Sequence, residues 1–259
     1  MTEEYTKIYC ESMAKSLEDK LFFLNEIDIN DYDCIVDFGC ADGRILEVLD
    51  ERLTNKKTIL IGIENNKVMF DQLVSLAGRA KHRMIGSIEL IDGDNRIFNL
   101  LKKAGKKRLI IFSSVLHEYD WENFKPFFYF FDTIVMRDMQ SPEKFWYKVP
   151  KSTRALVTKA FPGELLAKLE RKYGRINDLE TLYRYFLMYR YIDNFDHELQ
   201  EDYFSIIWDD LKEWLTYGYV FHVLYEKDYI LPFIKQDIET KFGYELKYPT
   251  HKQIIFVKD

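Results

Sequence analysis

The segment Ile35-Val-Asp-Phe-Gly-Cys-Ala-Asp-Gly-Arg-Ile-Leu46 decides the fold of this 259-residue chain. The apolar run before Gly39 is typical of a buried strand, and the apolar spacing after Gly43 is typical of a helix. Small residues at Gly39, Ala41 and Gly43 permit a tight turn close to a ligand, and a helix start offers free N–H groups to an anion. A turn that only packs a strand against a helix would need the same residues. The segment therefore predicts a strand, a glycine turn and a helix, and leaves ligand binding and packing as two interpretations of the turn.

Apolar runs rich in Ile, Val and Leu alternate with helical spacing along the chain. Buried strands that alternate with helices are typical of a parallel sheet covered on both faces, and right-handed crossovers favour an open sheet. We therefore predict an α/β fold with a doubly wound, mostly parallel, seven-stranded sheet. The predicted strands are Cys34–Phe38, Thr58–Ile63, Ser87–Ile91, Arg108–Phe112, Thr133–Met136, Tyr217–Leu224 and Gln253–Val257. The predicted helices are Ile45–Leu53, Lys67–Ala80, Arg96–Ala104, one from about Trp121, Gly163–Lys172, Leu179–Tyr191, Glu198–Leu215 and Leu231–Phe242.

The changes of pattern along the chain predict four segments. Residues 1–30 form an N-terminal helical segment, and the first 26 residues carry apolar residues three or four apart. Residues 31–139 form the α/β core. Residues 140–217 form a helical insertion after strand five, which we expect either to cap the carboxyl end of the sheet or to form an oligomer interface. Residues 218–259 supply the final strands.

The composition narrows the class of protein. Lys and Arg number 37 and Asp and Glu number 43, which gives a formal charge of −6, and 47% of the residues are hydrophobic. Such a chain is expected to fold and not to bind polyanions broadly. No apolar run approaches the roughly 18 residues that cross a bilayer, so no membrane partner is expected. Three cysteines without C-x-x-C spacing indicate neither a disulfide framework nor a zinc site, and favour a reducing, cytoplasmic compartment.

Polar residues stand where each of the next three predicted strands ends. Glu64 and Asn65 follow the second strand, Asp92-Gly-Asp-Asn95 follows the third, and Ser113-Ser-Val-Leu-His-Glu118 follows the fourth. Ligands of open α/β sheets bind outside the carboxyl ends of the strands. The sequence therefore predicts one crevice lined by these groups.

These residues carry a resemblance to a known family. Asp37-x-Gly39-x-Ala41-x-Gly43, Glu64, Gly93-Asp94 and Ser113–His117 resemble the successive motifs of class I S-adenosylmethionine (SAM)-dependent methyltransferases. The resemblance covers residues from about 33 to 138. Ala41 stands where many members have glycine, although alanine also occurs there. The resemblance implies the family's fold, methyl transfer as the activity and SAM as the cofactor.

The resemblance also implies roles for individual residues. The glycine turn lies against the methionine part of SAM, and Asp37 lies near the methionine amino group. Glu64 holds the ribose hydroxyls and Asp94 the adenine amino group, while Val68 or Met69 packs either on adenine or in the core. The implied cofactor-binding residues are Asp37, Gly39, Cys40, Ala41, Gly43, Glu64, Asn65, Gly93, Asp94, Asn95, Ser113 and Ser114.

A nicotinamide-binding domain is the rival interpretation of the same turn. Its fingerprint is G-x-G-x-x-G, which brings a pyrophosphate onto the helix start. Here the spacing is G-x-A-x-G, and Asp42 stands beside the site where that phosphate would lie. An acidic side chain opposes a dianion and tolerates a sulfonium compound better, so the sequence favours the methyl donor.

His117 is the candidate general base, because histidine ionises near neutral pH and His117 follows the fourth strand. Glu118 is the second candidate catalytic residue, either to orient His117 or to bind a cationic acceptor. A histidine that satisfies backbone groups at a helix start is an equal alternative for His117. No metal site is predicted, since no second cluster at ligand spacing accompanies these residues.

The methyl acceptor is expected to be a small or medium-sized molecule that is methylated on oxygen or nitrogen. No Asn-Pro-Pro-Tyr-like segment follows strand four, and in the family that segment marks exocyclic base nitrogens or glutamine amides as acceptors. Two alternatives remain, namely an RNA-directed methyltransferase and a non-catalytic SAM-binding partner subunit. A homo-oligomer is possible. The aromatic helix Tyr183–Tyr191 is expected mainly in a core or interface, with Arg184 and Arg190 as candidate anion contacts, and Arg137-Asp138 as an internal ion pair.

Overall fold

The computed structural model describes residues 16–87, 95–142, 148–217 and 220–259. Its described strands form one mixed sheet with the order β3-β2-β1-β4-β5-β7-β6. Neighbours among β1 to β5 are parallel. The predicted α/β fold with a mostly parallel, seven-stranded sheet is confirmed. The strands are β1 (Cys34–Phe38), β2 (Ile59–Ile63), β3 (Arg83–Ser87), β4 (Arg108–Ser113), β5 (Thr133–Met139), β6 (Phe221–Tyr229) and β7 (His251–Lys258).

Helices and short 3-10 turns connect the described strands. The helices are α1 (Leu17–Lys20), α2 (Arg44–Arg52), α3 (Lys67–Ala77), α4 (Asn95–Lys103), α5 (Lys125–Phe128), α6 (Lys151–Lys159), α7 (Gly163–Tyr173), α8 (Leu179–Arg190), α9 (Phe195–Glu198), α10 (Trp208–Thr216) and α11 (Pro232–Phe242). The 3-10 turns are Phe22–Asn25, Ile29–Asp31, Leu116–Glu118, Trp121–Phe124 and Ile192–Asn194. In the described part of the chain, no helix is both long enough and apolar enough to span a bilayer.

The central strand β1 is buried along its whole length, because it lies between β2 and β4. Side chains alternate between the two faces of a sheet. On one face, Ile35 belongs to an apolar cluster with Ile111, Phe23 and Leu49, which come from β4, the N-terminal segment and α2. On the other face, the ring of Phe38 packs against the ring of Phe112 in β4 and against the rings of Tyr119 and Phe124 after β4. Each face of the sheet therefore has its own hydrophobic core.

Four predicted elements differ from the structure. The sixth strand is Phe221–Tyr229 instead of Tyr217–Leu224, and the helix predicted from about Trp121 is a 3-10 turn followed by the short α5. Strand three begins at Arg83, earlier than the predicted Ser87, and the predicted residues 88–91 lie outside the described residues. β3 is at the edge of the sheet with only β2 as a neighbour, so its formation does not require a continuous apolar run. The predicted helix Glu198–Leu215 is wrong in its first half, because α10 begins only at Trp208. There the Ser205 N–H bonds the carbonyl of Asp202 at 3.1 Å, as in a turn.

The N-terminal helix is tested only in part. Residues 1–15 lie outside the described residues, and the remainder forms the short α1 and a 3-10 turn instead of one continuous helix. The chain divides into two compact units, one of residues 1–138, 209–226 and 253–259 and the other of residues 139–208 and 227–252. The four segments expected from the sequence remain a prediction.

The aromatic helix α8 supplies the core of the second unit. Tyr183, Tyr185 and Phe186 are buried there, as the periodicity indicated. Arg184 forms ion pairs with Glu180 and Asp202, and Arg190 with Asp237. The two arginines expected as anion contacts are therefore paired within their own unit.

Candidate active site

The strand register brings the predicted site residues to one edge of the sheet. Phe38 at the end of β1 is level with Ile63 in β2 and with Phe112 in β4. The residues that follow these positions, including Glu64 and Ser113, therefore lie next to one another at the carboxyl edge. The polar residues after β2 and β4 therefore share one edge, and a crevice at this edge stays a prediction.

The turn after β1 has the left-handed backbone that small residues adopt most easily. The φ angles are +66° at Gly39, +49° at Ala41 and +84° at Gly43. Gly43 directly precedes α2, so the turn presents the start of a helix to the edge. For the non-glycine Ala41 this backbone is strained, and such strain concentrates at functional sites.

The chain's own packing explains the absence of a side chain at Gly39. A Cβ atom there would lie 2.3 Å from Cγ2 of Val115, and one at Gly43 would lie 2.9 Å from Cδ2 of Leu76. Cys40 is also buried, and burial raises the pKa of its thiol well above the usual value. The structure therefore assigns these small residues to internal packing, and contact of the turn with a cofactor remains a prediction.

Glu64 connects the end of β2 to this turn. Its Oε2 accepts the backbone N–H of Ala41 at 2.8 Å, and its Oε1 accepts that of Asn66 at 2.7 Å. Burial raises the pKa of the Glu64 carboxyl, although hydrogen bonds from the backbone N–H groups of Asn66, Ala41 and Asn65 oppose the rise. Because a carboxylate oxygen has two lone pairs, each oxygen can still accept one more donor.

Asp37 places a second carboxylate at the same edge, inside the protein. The side chain is 1% exposed, and within the described part of the chain its Oδ2 has no hydrogen-bond partner. Burial raises the pKa of Asp37 to about 8, while the nearby Lys20 ammonium lowers it. Lys20 itself is buried, and burial, followed by the charge of Arg137, lowers its pKa to about 8. Burial of a carboxylate oxygen without a partner reduces the free energy of unfolding. A cationic donor from a ligand would supply the missing partner of Asp37.

The two candidates for packing on adenine lie in the first turn of α3 and differ in burial. Val68 is 40% exposed, whereas Met69 is 2% exposed and belongs to the core. The Asn66 side chain accepts the N–H groups of both residues and caps α3. The Asn65 side chain donates to the Tyr119 hydroxyl at 3.2 Å. Val68 is therefore the apolar side chain left accessible at this end of α3.

The predicted adenine-binding residues cannot be placed. Gly93 and Asp94 lie outside the described residues, and Asn95 begins α4 with its side chain outside the description. At the end of β4, Ser113 is buried, and no described residue forms a hydrogen bond with its Oγ. Ser114 has a left-handed φ of +59°, and its Oγ accepts a hydrogen bond from Arg137.

His117 lies in the 3-10 turn after β4 and is 6% exposed. Its Nδ1 lies 2.7 Å from Oδ1 of Asp138, which is fully buried in β5. Glu118, predicted to orient His117, is exposed. Asp138 therefore contacts the imidazole, and a carboxylate oxygen of Glu118 lies within 4.8 Å of a ring nitrogen of His117. Arg137 forms an ion pair with Asp19 at 2.7 Å, and the predicted ion pair between Arg137 and Asp138 stays a prediction.

A comparison with solved structures finds chains that share this architecture at low sequence identity. One is the plantazolicin methyltransferase BamL in complex with a triazolic desmethylPZN analog and SAH, with a TM-score of 0.51 and 12% identity, covering 98% of this chain and 88% of that one. A second is a Listeria monocytogenes protein assigned as a SAM-dependent methyltransferase, with a TM-score of 0.53 and 12% identity, covering 93% and 98%. A third is the geranyl diphosphate C-methyltransferase of Streptomyces coelicolor A3(2), with a TM-score of 0.50 and 9% identity, covering 100% and 85%.

The chain has the fold of the class I methyltransferases. Neither a family model nor a curated protein matches the sequence. At these identities the likeness shows the fold, and the roles of individual residues rest on the geometry of this chain.

Two residues near the carboxyl edge of the sheet, Asp138 and Lys20, are not predicted from the sequence as parts of the site. The sequence indicates Asp138 only as a partner of its neighbour Arg137, although Asp138 lies near the carboxyl end of β5, beside the loop that follows β4. The position of both residues at the ends of adjacent strands is the signal that could have paired Asp138 with His117. Lys20 was hidden in an apolar helical pattern, and nothing in its spacing marks a buried cation.

Proposed function

We propose that the chain is a SAM-dependent methyltransferase that methylates an oxygen or nitrogen of a small or medium-sized acceptor. The observation that carries this proposal is the buried Asp37 carboxylate, whose Oδ2 has no hydrogen-bond partner among the residues that the structure describes. It lies at the end of β1, where the resemblance places the methionine amino group of SAM. A buried carboxylate oxygen is a fitting acceptor for an ammonium group, which carries three donors and a positive charge.

Other residues at the edge fit the remaining parts of SAM. The Glu64 oxygens each accept one backbone N–H and retain a lone pair, which suits two ribose hydroxyls. Val68 offers an exposed apolar surface to adenine, whereas Met69 is committed to the core. Asp42 forms an ion pair with Arg44 at 2.7 Å beside the helix start, so the charge of Asp42 is balanced and does not by itself exclude a dinucleotide phosphate. Gly93, Asp94 and Asn95 stay in the proposal as expected cofactor contacts, with Asp94 at the adenine amino group.

SAM, when bound, supplies a methyl group on a positively charged sulfur. The residues of the chain then have two tasks, to hold the acceptor in line with that group and to remove a proton from it. We propose that His117 removes this proton, because it lies in the turn after β4, next to the proposed cofactor position. The rings of Phe38, Tyr119 and Phe124 pack against one another within 5.7 Å on the same side of the sheet and form an apolar support behind this loop.

Two of the structures that share the fold support a small acceptor, although one of them is a C-methyltransferase. One is described with a triazolic desmethylPZN analog, and the other acts on geranyl diphosphate. Both are organic molecules far smaller than RNA. The net charge of −6 also gives the chain no general attraction for a polyanion.

The test is incubation of the purified chain with methyl-labelled SAM and a metabolite extract, with total RNA in a separate reaction. We expect label in the small-molecule fraction, with the Asp71→Asn chain, altered at an exposed carboxylate of α3, as an active control. Label in RNA would contradict the small-acceptor part and support the RNA-directed alternative. Tight SAM binding without label in either reaction would support the non-catalytic subunit.

A further inference from the structure

The parallel register aligns the first residues of four strands. Cys34, which begins β1, is level with Ile59 in β2 and with Arg108 in β4, and Ile59 is level with Arg83 in β3. We call the side of the sheet where these four strands begin the amino edge. The turns that lead into the strands therefore lie side by side along the amino edge, at the opposite end of the strands from the proposed cofactor site.

Exposed cations line the amino edge. They are Lys56 and Lys57 before β2, Lys81 and Arg83 at the start of β3, and Lys106 before β4. None of these side chains forms an ion pair with a residue that the structure describes. Lys102 and Lys103 are also exposed, but they lie in the last turn of α4, where the helix dipole gives a cation a separate explanation.

Side-chain carboxylates fix the backbone of two of these turns. Asp33 accepts the backbone N–H of Lys106 at 2.8 Å, and Asp50 accepts that of Lys81 at 2.9 Å. The positions of the cations therefore do not depend on a ligand. A ligand that binds to turns that are already ordered loses less free energy to ordering them.

The acidic groups nearby do not balance these cations. The charge of Asp31 is paired with Lys107 at 3.2 Å. The exposed carboxylates without an ion pair among the described residues are Glu26, Asp28 and Glu51. They are fewer than the unpaired cations, so the amino edge is locally positive although the whole chain has a formal charge of −6. An uneven distribution of this kind attracts an anion to one part of the surface.

The arrangement suits a row of phosphates. Neighbouring strands are about 4.8 Å apart, so the distance from β3 to β4 is about 14 Å. A nucleic-acid duplex carries about eight phosphate charges over that length, because it has one per about 1.7 Å. Lysine is depleted in protein–protein interfaces but is a usual partner of phosphate oxygens. The sequences of the turns, Thr54–Lys57, Arg79–Arg83 and Ala104–Lys107, contain no Phe, Tyr or Trp on which single-stranded bases could stack.

We infer that the amino edge binds the phosphate backbone of a double-stranded nucleic acid. RNA and DNA duplexes share this chemistry. Contacts to phosphates carry no sequence information, so binding is independent of base sequence. The shortest of these strands have five residues, which places the amino edge about 16 Å from the carboxyl edge. Binding of a duplex is therefore compatible with a small methyl acceptor, and the inference goes beyond the proposed function without depending on it.

The test is fluorescence anisotropy of the full chain with labelled RNA and DNA duplexes, between about 50 and 200 mM salt. We expect both to bind, and we expect log K to fall against log salt with a slope of about −4, because each cation releases about 0.9 counterion. Lys56→Ala/Lys57→Ala should weaken binding and make the slope shallower by about 2. The matched control is Lys151→Ala/Lys159→Ala, which removes two exposed lysines of α6 and changes the total charge equally, and it should bind as the unaltered chain does.

Four results would overturn the inference. They are no duplex binding at low salt, an equal loss in the two double variants, tighter binding of a single strand, and displacement of the duplex by polyglutamate as readily as by unlabelled duplex. The last result would indicate an acidic protein as the partner. Binding of either duplex with the expected slope supports the inference, and the tighter duplex identifies the source. Calorimetry with S-adenosylhomocysteine is independent of these results, since its failure in the unaltered chain would refute only the proposed function.

Discussion

The backbone N–H of Ala41 donates a 2.8 Å hydrogen bond to the Glu64 carboxylate, so the acid that ends β2 also holds the turn that follows β1. The other carboxylate oxygen holds the N–H of Asn66 at the start of α3. One side chain therefore fixes two of the loops that border the proposed cofactor site. Loss of Glu64 should affect both the shape of the site and its affinity, and a useful variant must separate the two effects.

Glu64→Gln is the appropriate variant for this separation. Glutamine keeps the shape of the side chain but can accept with only one of its two terminal atoms, so one backbone N–H loses its partner. We expect a loss of about 1–3 kcal/mol in the free energy of unfolding, measured with urea, and a fall in SAM affinity of about tenfold or more, measured by calorimetry. Glu47→Gln, on the exposed face of α2, is the control and should change stability by less than about 0.5 kcal/mol. Unchanged SAM affinity in Glu64→Gln would remove Glu64 from the site.

Asp37→Asn tests the group that is proposed to bind the ammonium of the cofactor. We expect affinity for S-adenosylhomocysteine to fall by about tenfold or more, because a neutral amide replaces a charged acceptor. Affinity for 5′-methylthioadenosine, which lacks the amino-acid group, should be the same in both chains. Equal losses for the two ligands in calorimetry would show that the substitution disturbs the site as a whole.

The raised pKa of Asp37, about 8 because of burial, gives the same site a pH dependence. Below that pKa the carboxyl binds a proton, which competes with a ligand ammonium. Affinity for S-adenosylhomocysteine should therefore rise between about pH 6 and pH 8.5, and titrations at a series of pH values measure it. A flat profile in the unaltered chain would contradict a role for Asp37 ionisation in binding.

Gly39→Ala should destabilise the protein even without any ligand. The added Cβ would lie 2.3 Å from Cγ2 of Val115, and the backbone at position 39 has a φ of +66°. Overpacking and strain of this kind cost about 1–3 kcal/mol each, and the free energy of unfolding should fall accordingly. Gly163→Ala is the control, because nothing lies within 4 Å of an added Cβ there. If Gly39→Ala unfolds with the same free energy as the unaltered chain, internal packing against Val115 does not explain the glycine.

Asp50→Asn should cost stability in a pH-dependent way. Burial raises the pKa of Asp50, but the hydrogen bonds from Lys81 and His82 outweigh it and leave the pKa below 3.8. A carboxyl with a depressed folded pKa contributes stability above its unfolded pKa and loses it as the pH falls through the folded value. The unaltered chain should exceed Asp50→Asn by about 1–3 kcal/mol at pH 7, and the gap should close below about pH 3.8. Urea unfolding at several pH values measures the gap, and a constant gap would contradict the assignment.

The central part of the fold could be predicted because burial on both faces leaves a clear pattern. Cys34–Phe38 is a strand with the predicted bounds, since its neighbours on each side require a continuous apolar run. The edge strand β3 has no such requirement. Its sequence Arg83-Met-Ile-Gly-Ser87 is less apolar than the run that follows, so the pattern predicts the strand too late in the chain. Residues 199–207 were read as helix because their periodicity does not show that Asp202 forms a turn and pairs with Arg184.

The candidate site divides in the same way. Glu64 and His117 could be proposed because each follows a strand directly, and strand ends meet at one edge. The contact of His117 with Asp138 depends on the register between β4 and β5, which no local pattern encodes. The burial of Lys20 near Asp37 depends on where the N-terminal segment packs, and the filling of space at Gly39 by Val115 depends on the fold of a loop 76 residues later in the sequence.

A crystal structure of the chain soaked with S-adenosylhomocysteine tests the central claim most directly. The account predicts the ligand at the carboxyl edge of β1, β2 and β4, with its amino group within about 3.2 Å of Asp37 Oδ2 and its ribose hydroxyls at Glu64. A ligand bound elsewhere with that edge empty, or a dinucleotide that binds there in its place, would contradict it.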